Sequence, residues 1–178
     1  AELKSADPES WRALQAIGDK LREEFEAQGD SIQVLLQGQV PKRQLMQQFL
    51  AQPRSVLVGS QSFWEGIDVV GDALQCVLID KLPFPPPNAP LVEARVKRLE
   101  QRGRNPFAAE AAVSLKQGAG RLIRSETDRG LLVVCDPRMA GMNYGRRLRE
   151  ALPPMAPVAN EAQAMEWLTS LGAETLPF

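Results

Sequence analysis

Strands that alternate with helices, each strand a continuous apolar run, predict an α/β fold: an open parallel sheet with helices on both faces, three layers deep. The candidate strands are residues 32–36, 55–58, 74–79 and 131–135, all short and apolar. Between them lie segments whose apolar residues recur at three- and four-residue steps, the mark of amphipathic helices. A length of 178 residues with 44% apolar content is enough for one domain with a real core.

Each element has a local reason. Asp7-Pro8 reads as an N-cap followed by proline at the first helical position. Behind it Trp11, Leu14, Ile17, Leu21 and Phe25 form the apolar stripe of a helix that ends near Gly29. The strand 32–36 is closed by Gln37-Gly38, and Pro41 opens a helix with Leu45, Met46, Phe49 and Leu50 on one side. The strands 55–58 and 74–79 follow. The five prolines of 83–90 remove donors and fix φ, so that stretch cannot be regular structure. A charged helix is predicted over 91–101, stopped by Gly103, and a second over 106–118. The last strand is 131–135, and 144–152 is helical. Asn160 with Gln163 forms a capping box for a final helix to Leu171. No strand precedes the first helix, so the chain is expected to be one domain cut from a longer protein, with 155–178 as a C-terminal helical extension.

Composition narrows the function. No apolar run approaches the roughly 18 residues needed to cross a membrane. The N-terminus lacks the basic and apolar segments of a secretory signal, and the chain reads as cytoplasmic. Cys76 and Cys135 each sit in an apolar run and are expected to be reduced, buried core thiols. With no histidine, His-based triads and His-ligated metals are excluded, and no metal ligand set is identified. The net charge of −1 is unevenly spread. Residues 1–94 carry 8 basic and 13 acidic side chains, residues 95–149 carry 13 and 5, and residues 150–178 carry four acids and no base. A middle segment at +8 points to a face that meets a polyanion, nucleotide or nucleic acid, unless it is a solvated charged surface.

Three constellations could carry chemistry. In Gln117-Gly-Ala-Gly120-Arg121-Leu-Ile-Arg124, at a helix end, two arginines three residues apart project to one side and can surround a phosphate. Gly118 and Gly120 would let a ligand approach the backbone. Ion pairs with Glu126 or Asp128 explain the arginines as well. The segment is not a P-loop, because the Gly-Lys-Ser/Thr ending is missing, and Ile123 replaces the third glycine of a dinucleotide fingerprint. The second, residues 59–68, lies directly after a strand, where open α/β sheets place ligands. There Ser60 and Ser62 could donate to phosphate oxygens, and Glu65 with Asp68 could hold a ribose or an arginine. Phe63 and Trp64 read as packing residues more than as base-stacking platforms. The third, Asp80-Lys-Leu-Pro-Phe84-Pro-Pro-Pro, reads as a rigid loop that holds the following basic helix.

In this order and spacing the segments resemble the second RecA-like domain of the DinG/YoaA branch of the XPD-like superfamily 2 helicases. The matching stretches are Ser-Phe-Trp-Glu-Gly-Ile-Asp, Asp-Lys-Leu-Pro-Phe-Pro-Pro-Pro and Lys-Gln-Gly-x-Gly-Arg-Leu-Ile-Arg-Ser-Glu-Thr-Asp-Arg-Gly, and the likeness runs over residues 11–154. Relative to that family the opening strand is missing from residues 1–10, and 107–115 is a few residues short. The resemblance implies that Gln117, Arg121 and Arg124 form helicase motif VI, whose arginines reach the γ-phosphate across a domain interface. It implies that residues 60–68 form motif V, with Ser60 and Ser62 against the nucleic acid backbone. Glu65, Gly66 and Asp68 then lie nearer the nucleotide, as does Gly120. It further implies ATP and Mg²⁺ bound mainly by an absent first motor domain in cis, and 5′→3′ movement on single-stranded DNA in repair or replication. An iron–sulfur cluster elsewhere in the full-length protein and the polymerase χ subunit as a partner are also implied.

On this reading Arg121 and Arg124 stabilise the charge that develops on the transferred phosphoryl group. Two rivals stand beside it. One is a non-catalytic RecA-like nucleic-acid or partner-binding module whose arginines meet DNA instead of ATP. The other is a self-sufficient enzyme on a small phosphorylated substrate, against which stand the missing phosphate cradle and the missing base.

Overall fold

The carboxylate of Asp7 accepts from the backbone N–H of Ser10 at 3.0 Å, and Pro8 follows at the first helical position. Together they start helix α1 (Pro8–Ala27) in the computed structural model of the chain. The structure describes residues 7–64, 69, 73–84, 106–123 and 128–174, with the backbone alone for 62, 106 and 172–174. It divides into two units, residues 1–68 and 69–178.

In the first unit α1 leads into β1 (Gln33–Leu36), α2 (Lys42–Ala51), β2 (Ser55–Val58) and the single turn α3 (Gln61–Trp64). Strands β1 and β2 pair in parallel, from Gln33 opposite Ser55 to Leu36 opposite Val58. Parallel neighbours need a crossover, and α2 supplies it. Successive strand residues face opposite ways. Leu35 packs with Leu45 of α2 and with Phe63, inside a ring of Val40, Met46, Phe49 and Leu57. Leu36 points to the other face, against Gly18 of α1, where an added Cβ would lie 2.5 Å from Leu36 Cδ2. This strand pair is therefore covered by α1 on one face and α2 on the other. Beyond β1 the chain turns at Gly38, whose φ of +92° suits glycine alone.

The second unit contains β3 (Cys76–Ile79), α4 (Pro106–Ala119), β4 (Leu131–Val134), α5 (Arg138–Gly141), α6 (Gly145–Ala151) and α7 (Glu161–Glu174). Strands β3 and β4 are again parallel, from Cys76 opposite Leu131 to Ile79 opposite Val134. The stripe Ala108, Ala111, Leu115 and Ala119 is buried along α4 at helical spacing. Helix α4 packs on α6, whose Leu148 is fully buried, and α6 packs on α5. Helix α7 opens on the predicted cap. Gln163 donates its N–H to Asn160 Oδ1 at 2.9 Å, and Gln163 Oε1 accepts from Ala159 N–H at 2.8 Å. Parallel strand pairs flanked by helices are consistent with a RecA-like α/β fold.

Some expectations are corrected. Both cysteines are exposed, not buried. Strand β3 begins at Cys76 and not at Leu74, and its faces differ: Ile79 is buried while Leu78 is 64% exposed. A continuous apolar run does not say whether one or both faces are covered. Cys135 stands one residue past β4. Leu50 and Ile17, assigned to buried stripes, are exposed, because each lies at the edge of its helix's apolar face. The proline-rich residues 85–90 and the predicted helix 91–101 lie outside the described residues. Among the described residues no helix is long and apolar enough to cross a membrane.

Candidate nucleotide and nucleic-acid site

Ligands of parallel α/β sheets sit beyond the C-terminal strand ends. At the end of β2 the chain makes a tight turn, closed by the N–H of Phe63 donating to the Ser60 carbonyl at 2.9 Å. Gly59 leaves room for it, since a Cβ there would lie 3.1 Å from the Phe63 ring. Two groups from the β1–α2 side hold this turn. Gln37 Oε1 accepts from the backbone N–H of Ser60 at 2.7 Å and from its hydroxyl at 3.0 Å. Lys42 Nζ donates to the Phe63 carbonyl at 2.9 Å and lies 4.8 Å from the centre of the Phe63 ring. Phe63 itself is 5% exposed, a core residue. Trp64 is half-buried, and its Nε1 is buried without a partner among the described residues.

In the second unit the end of α4 carries Gln117, which is exposed, and Arg121, which is half-buried. Gly120 N–H still donates to the Lys116 carbonyl four residues back, at 2.8 Å. Arg121 and Leu122 instead donate to Gly118 and Ala119, three residues back, at 3.1 and 3.0 Å, so the helix ends in a tightened turn. Ala119 and Leu122, on either side of this turn, are 0% and 3% exposed. Leu122 fills a notch at Gly130, where a Cβ would lie 2.3 Å from its Cδ1. Arg121 is thus carried on a turn anchored at both sides.

The ends of β3 and β4 are tied together by Asp136, a buried carboxylate. It accepts from Leu82 N–H at 2.9 Å, from Arg138 N–H at 3.0 Å, and from the Arg138 guanidinium through Nε at 2.9 Å and Nη2 at 2.6 Å. The Arg138 fork holds the Asp136 carboxyl well below the usual carboxylate range against the opposing effect of burial, and Leu82 N–H lowers it further. The same pairing raises the Arg138 pKa. Arg138 lies 4.9 Å from the Phe84 ring centre, and Phe84 meets Tyr144 edge-on at 5.7 Å. The start of the proline segment is therefore clamped, while Asp80 and Lys81 beside it stay exposed.

Of the residues singled out from sequence, Ser60, Gln117, Gly120 and Arg121 are described. Glu65, Gly66, Asp68 and Arg124 lie outside the described residues, as does the Ser62 side chain. Sequence reasoning passed over Gln37, Lys42, Asp136 and Arg138. Two of these had a signal: Gln37 and Asp136 each follow an apolar strand directly, at the edge where ligands gather. The chain's two cysteines do not make the four-thiolate set of an iron–sulfur cluster. Among the described residues no three His, Cys, Asp or Glu side chains converge on a point.

The chain is 43% identical to the ATP-dependent DNA helicase YoaA of Haemophilus influenzae over 148 residues, 81% of this chain and 22% of the relative. It is 45% identical to the ATP-dependent DNA helicase YoaA of Escherichia coli over 152 residues, 83% of this chain and 24% of the relative. The ATP-dependent helicase DinG of Mycobacterium tuberculosis matches at 42% over 166 residues, 91% of this chain and 24% of the relative. The chain thus spans less than a quarter of the length of these relatives. The helicase C-terminal domain profile covers residues 9–155, most of the chain and nearly every element described above. With that match, and with both strand pairs and the Gln117–Arg121 turn inside it, the chain belongs to the helicase C-terminal domain family, of the type found in YoaA and DinG.

Proposed function

We propose that this chain is the second motor half of an ATP-dependent DNA helicase that moves 5′→3′ on single-stranded DNA in repair or replication. The observation that carries the reading is the anchored turn of Arg121, held between buried Ala119 and Leu122 at the end of α4. An arginine finger must arrive in a fixed position, and a helix-end turn locked into the core provides one. Arg121 and Arg124 reach the γ-phosphate of an ATP bound with Mg²⁺ mainly by a first motor domain in the same protein, and Gln117 lines the same junction. Bound Mg²⁺ would supply neutralisation of phosphate charge there. Glu65, Gly66, Asp68 and Gly120 border the nucleotide, and Ser60 with Ser62 lies along the DNA backbone. An iron–sulfur cluster in the first half and docking to the polymerase χ subunit belong to the same reading of the whole protein. So does the division into one domain with a C-terminal extension from residue 155.

A finger arginine is typically worth about 10³–10⁵ in rate. In the full-length protein Arg124→Ala is therefore expected to abolish ATP turnover while DNA binding largely survives. Near-normal ATPase activity in that variant would sink the assignment and favour a non-catalytic nucleic-acid or partner module. The 178-residue chain alone is expected to hydrolyse no ATP, because the main phosphate cradle is elsewhere. Hydrolysis by the chain alone would favour a self-sufficient enzyme.

A further inference from the structure

Gln37 stands at the end of β1, and its backbone is fixed on three sides. Its N–H donates to the Val58 carbonyl at 2.9 Å, continuing the ladder past the last paired residue. The turn beyond it is closed by Gln39, whose N–H donates to the Leu36 carbonyl at 3.2 Å and whose Oε1 accepts from Leu36 N–H at 3.2 Å. Gly38 sits over Trp11, where a Cβ would lie 2.8 Å from the ring, so the turn cannot slide.

The side chain is oriented as firmly. The backbone N–H of Ser60 is an obligate donor, so the Gln37 atom 2.7 Å from it must be the oxygen. The Ser60 hydroxyl, 3.0 Å away, donates to that same oxygen. The amide nitrogen of Gln37 therefore points away from Ser60 with two N–H donors, and it has no partner among the described residues. The Ser60 hydroxyl proton, assigned from sequence to a phosphate, is directed at Gln37, and the Gln37 amide supplies N–H donors at this edge.

We propose that the Gln37 amide nitrogen is a donor to a phosphodiester oxygen of single-stranded DNA, with Ser60 as the residue that aims it. This rests on the DNA reading of the β2 end given above. Lys42, pinned to Phe63 at the far end of the same turn, adds positive charge to the edge without being its specific donor.

The test uses the full-length protein and an oligothymidylate probe. Gln37→Glu keeps an oxygen for the Ser60 donors but removes the amide N–H groups. It is expected to weaken oligothymidylate binding about tenfold, the worth of a hydrogen bond to a charged group. The half-saturating DNA concentration for ATPase stimulation should rise in step. The loss should persist as salt is raised, because a missing hydrogen bond is not screened. Binding within twofold of wild type overturns the proposal. So does a loss that vanishes at higher salt, which would mark through-space repulsion, and so does a shift confined to the half-saturating ATP concentration, which would place the phosphate on the nucleotide. If Gln37→Glu does not fold, Gln37→Met is read instead. It should lose about tenfold with an unchanged slope of log affinity against log salt, since a neutral residue releases no counterion; wild-type affinity in folded Gln37→Met overturns the proposal. A wild-type protein that fails to bind oligothymidylate at all refutes the underlying DNA reading, and this inference with it.

Discussion

The backbone N–H of Leu82 donates to the buried carboxylate of Asp136 at 2.9 Å, joining the loops that follow β3 and β4 across 54 residues of chain. Leu82 is itself 4% exposed, so this donor has no water to fall back on. Removing the acceptor leaves it unsatisfied, a loss of about 2 kcal/mol, while the half-exposed Arg138 can rehydrate. Asp136→Ala should therefore lower the thermal midpoint by about 4–8 °C. Asp136→Asn keeps an oxygen for Leu82 and should lose about half as much. Equal losses in the two variants would mean that the ion pair, and not the Leu82 bond, holds the clamp.

The same carboxylate sets a pH dependence. Its pKa in the folded protein is depressed, first by the Arg138 hydrogen bonds. The unfolded chain, with an ordinary carboxyl near 3.9, takes up the proton first as the pH falls. The stabilisation is thus fully present above about pH 5 and lost as the pH drops through about 4 and below. The stability gap between wild type and Asp136→Asn, read by denaturant titration, should hold down to about pH 5 and narrow steadily from about pH 4 to pH 3. Parallel curves over that range would remove Asp136 from the acid limb.

What was legible in the sequence was local. Asp7-Pro8 and Asn160–Gln163 mark their helix starts because a cap acts within four residues, and the buried helix faces that carry Leu14 and Leu45 are visible because burial repeats with the helix period. The clamp was not legible. Asp136-Pro-Arg138 looks like a turn until the fold brings Leu82 and Phe84 against it, and no pattern in a single chain encodes a partner 54 residues away. The exposure of Cys76 and Leu78 was hidden for the opposite reason. Their run is apolar enough for either face, and only the neighbours decide which is covered. Among the candidate residues of each unit, Arg121 could be found from its motif, whereas Gln37 gains meaning only once β1 and β2 are paired in register.

The cysteines give a direct check on that point. Both are exposed, so a disulfide reagent should titrate two thiols in the native protein without denaturant. Cys76 should be slower near neutral pH, because the protein crowded around its sulfur raises the thiol pKa by desolvation. The thiol left in Cys135→Ala should react faster as the pH is raised. If neither thiol reacts until the protein unfolds, the buried placement expected from sequence is right and the exposed one wrong.

Two glycines test the packing of helices. At Gly145 an added Cβ would lie 2.2 Å from the Met139 carbonyl oxygen, which is backbone and cannot swing aside. At Gly18 the obstacle is the Leu36 side chain, 2.5 Å away and 2% exposed, which can shift slightly inside its core. Alanine favours a helix interior by about 1 kcal/mol over glycine, and this offsets part of the clash at Gly18, in mid-helix. Gly145→Ala should therefore cost about 3 kcal/mol and Gly18→Ala about 1–2 kcal/mol, read by urea unfolding. A stabilising Gly18→Ala would show that α1 stands farther from β1 than the structure has it.

A last substitution separates the anchoring of Arg121 from stability at large. Gly130 is the notch that receives Leu122, and a Cβ there would meet Leu122 Cδ1 and Cγ at 2.3 and 2.4 Å. Leu122 has to move, and the turn that carries Arg121 moves with it. If Arg121 acts on a developing phosphate charge, a displacement of about 1 Å is enough to lower turnover roughly a hundredfold. In the full-length protein Gly130→Ala should lower kcat for ATP hydrolysis while oligothymidylate binding holds, and a smaller side chain at the partner position, Leu122→Ala, should relieve the clash and restore part of the rate. Loss of DNA binding together with ATPase would instead mean that the second unit has come apart. Unchanged kcat in folded Gly130→Ala would mean that the turn's position is irrelevant to catalysis, and Arg121 would then have to be read as a surface cation and not as a finger.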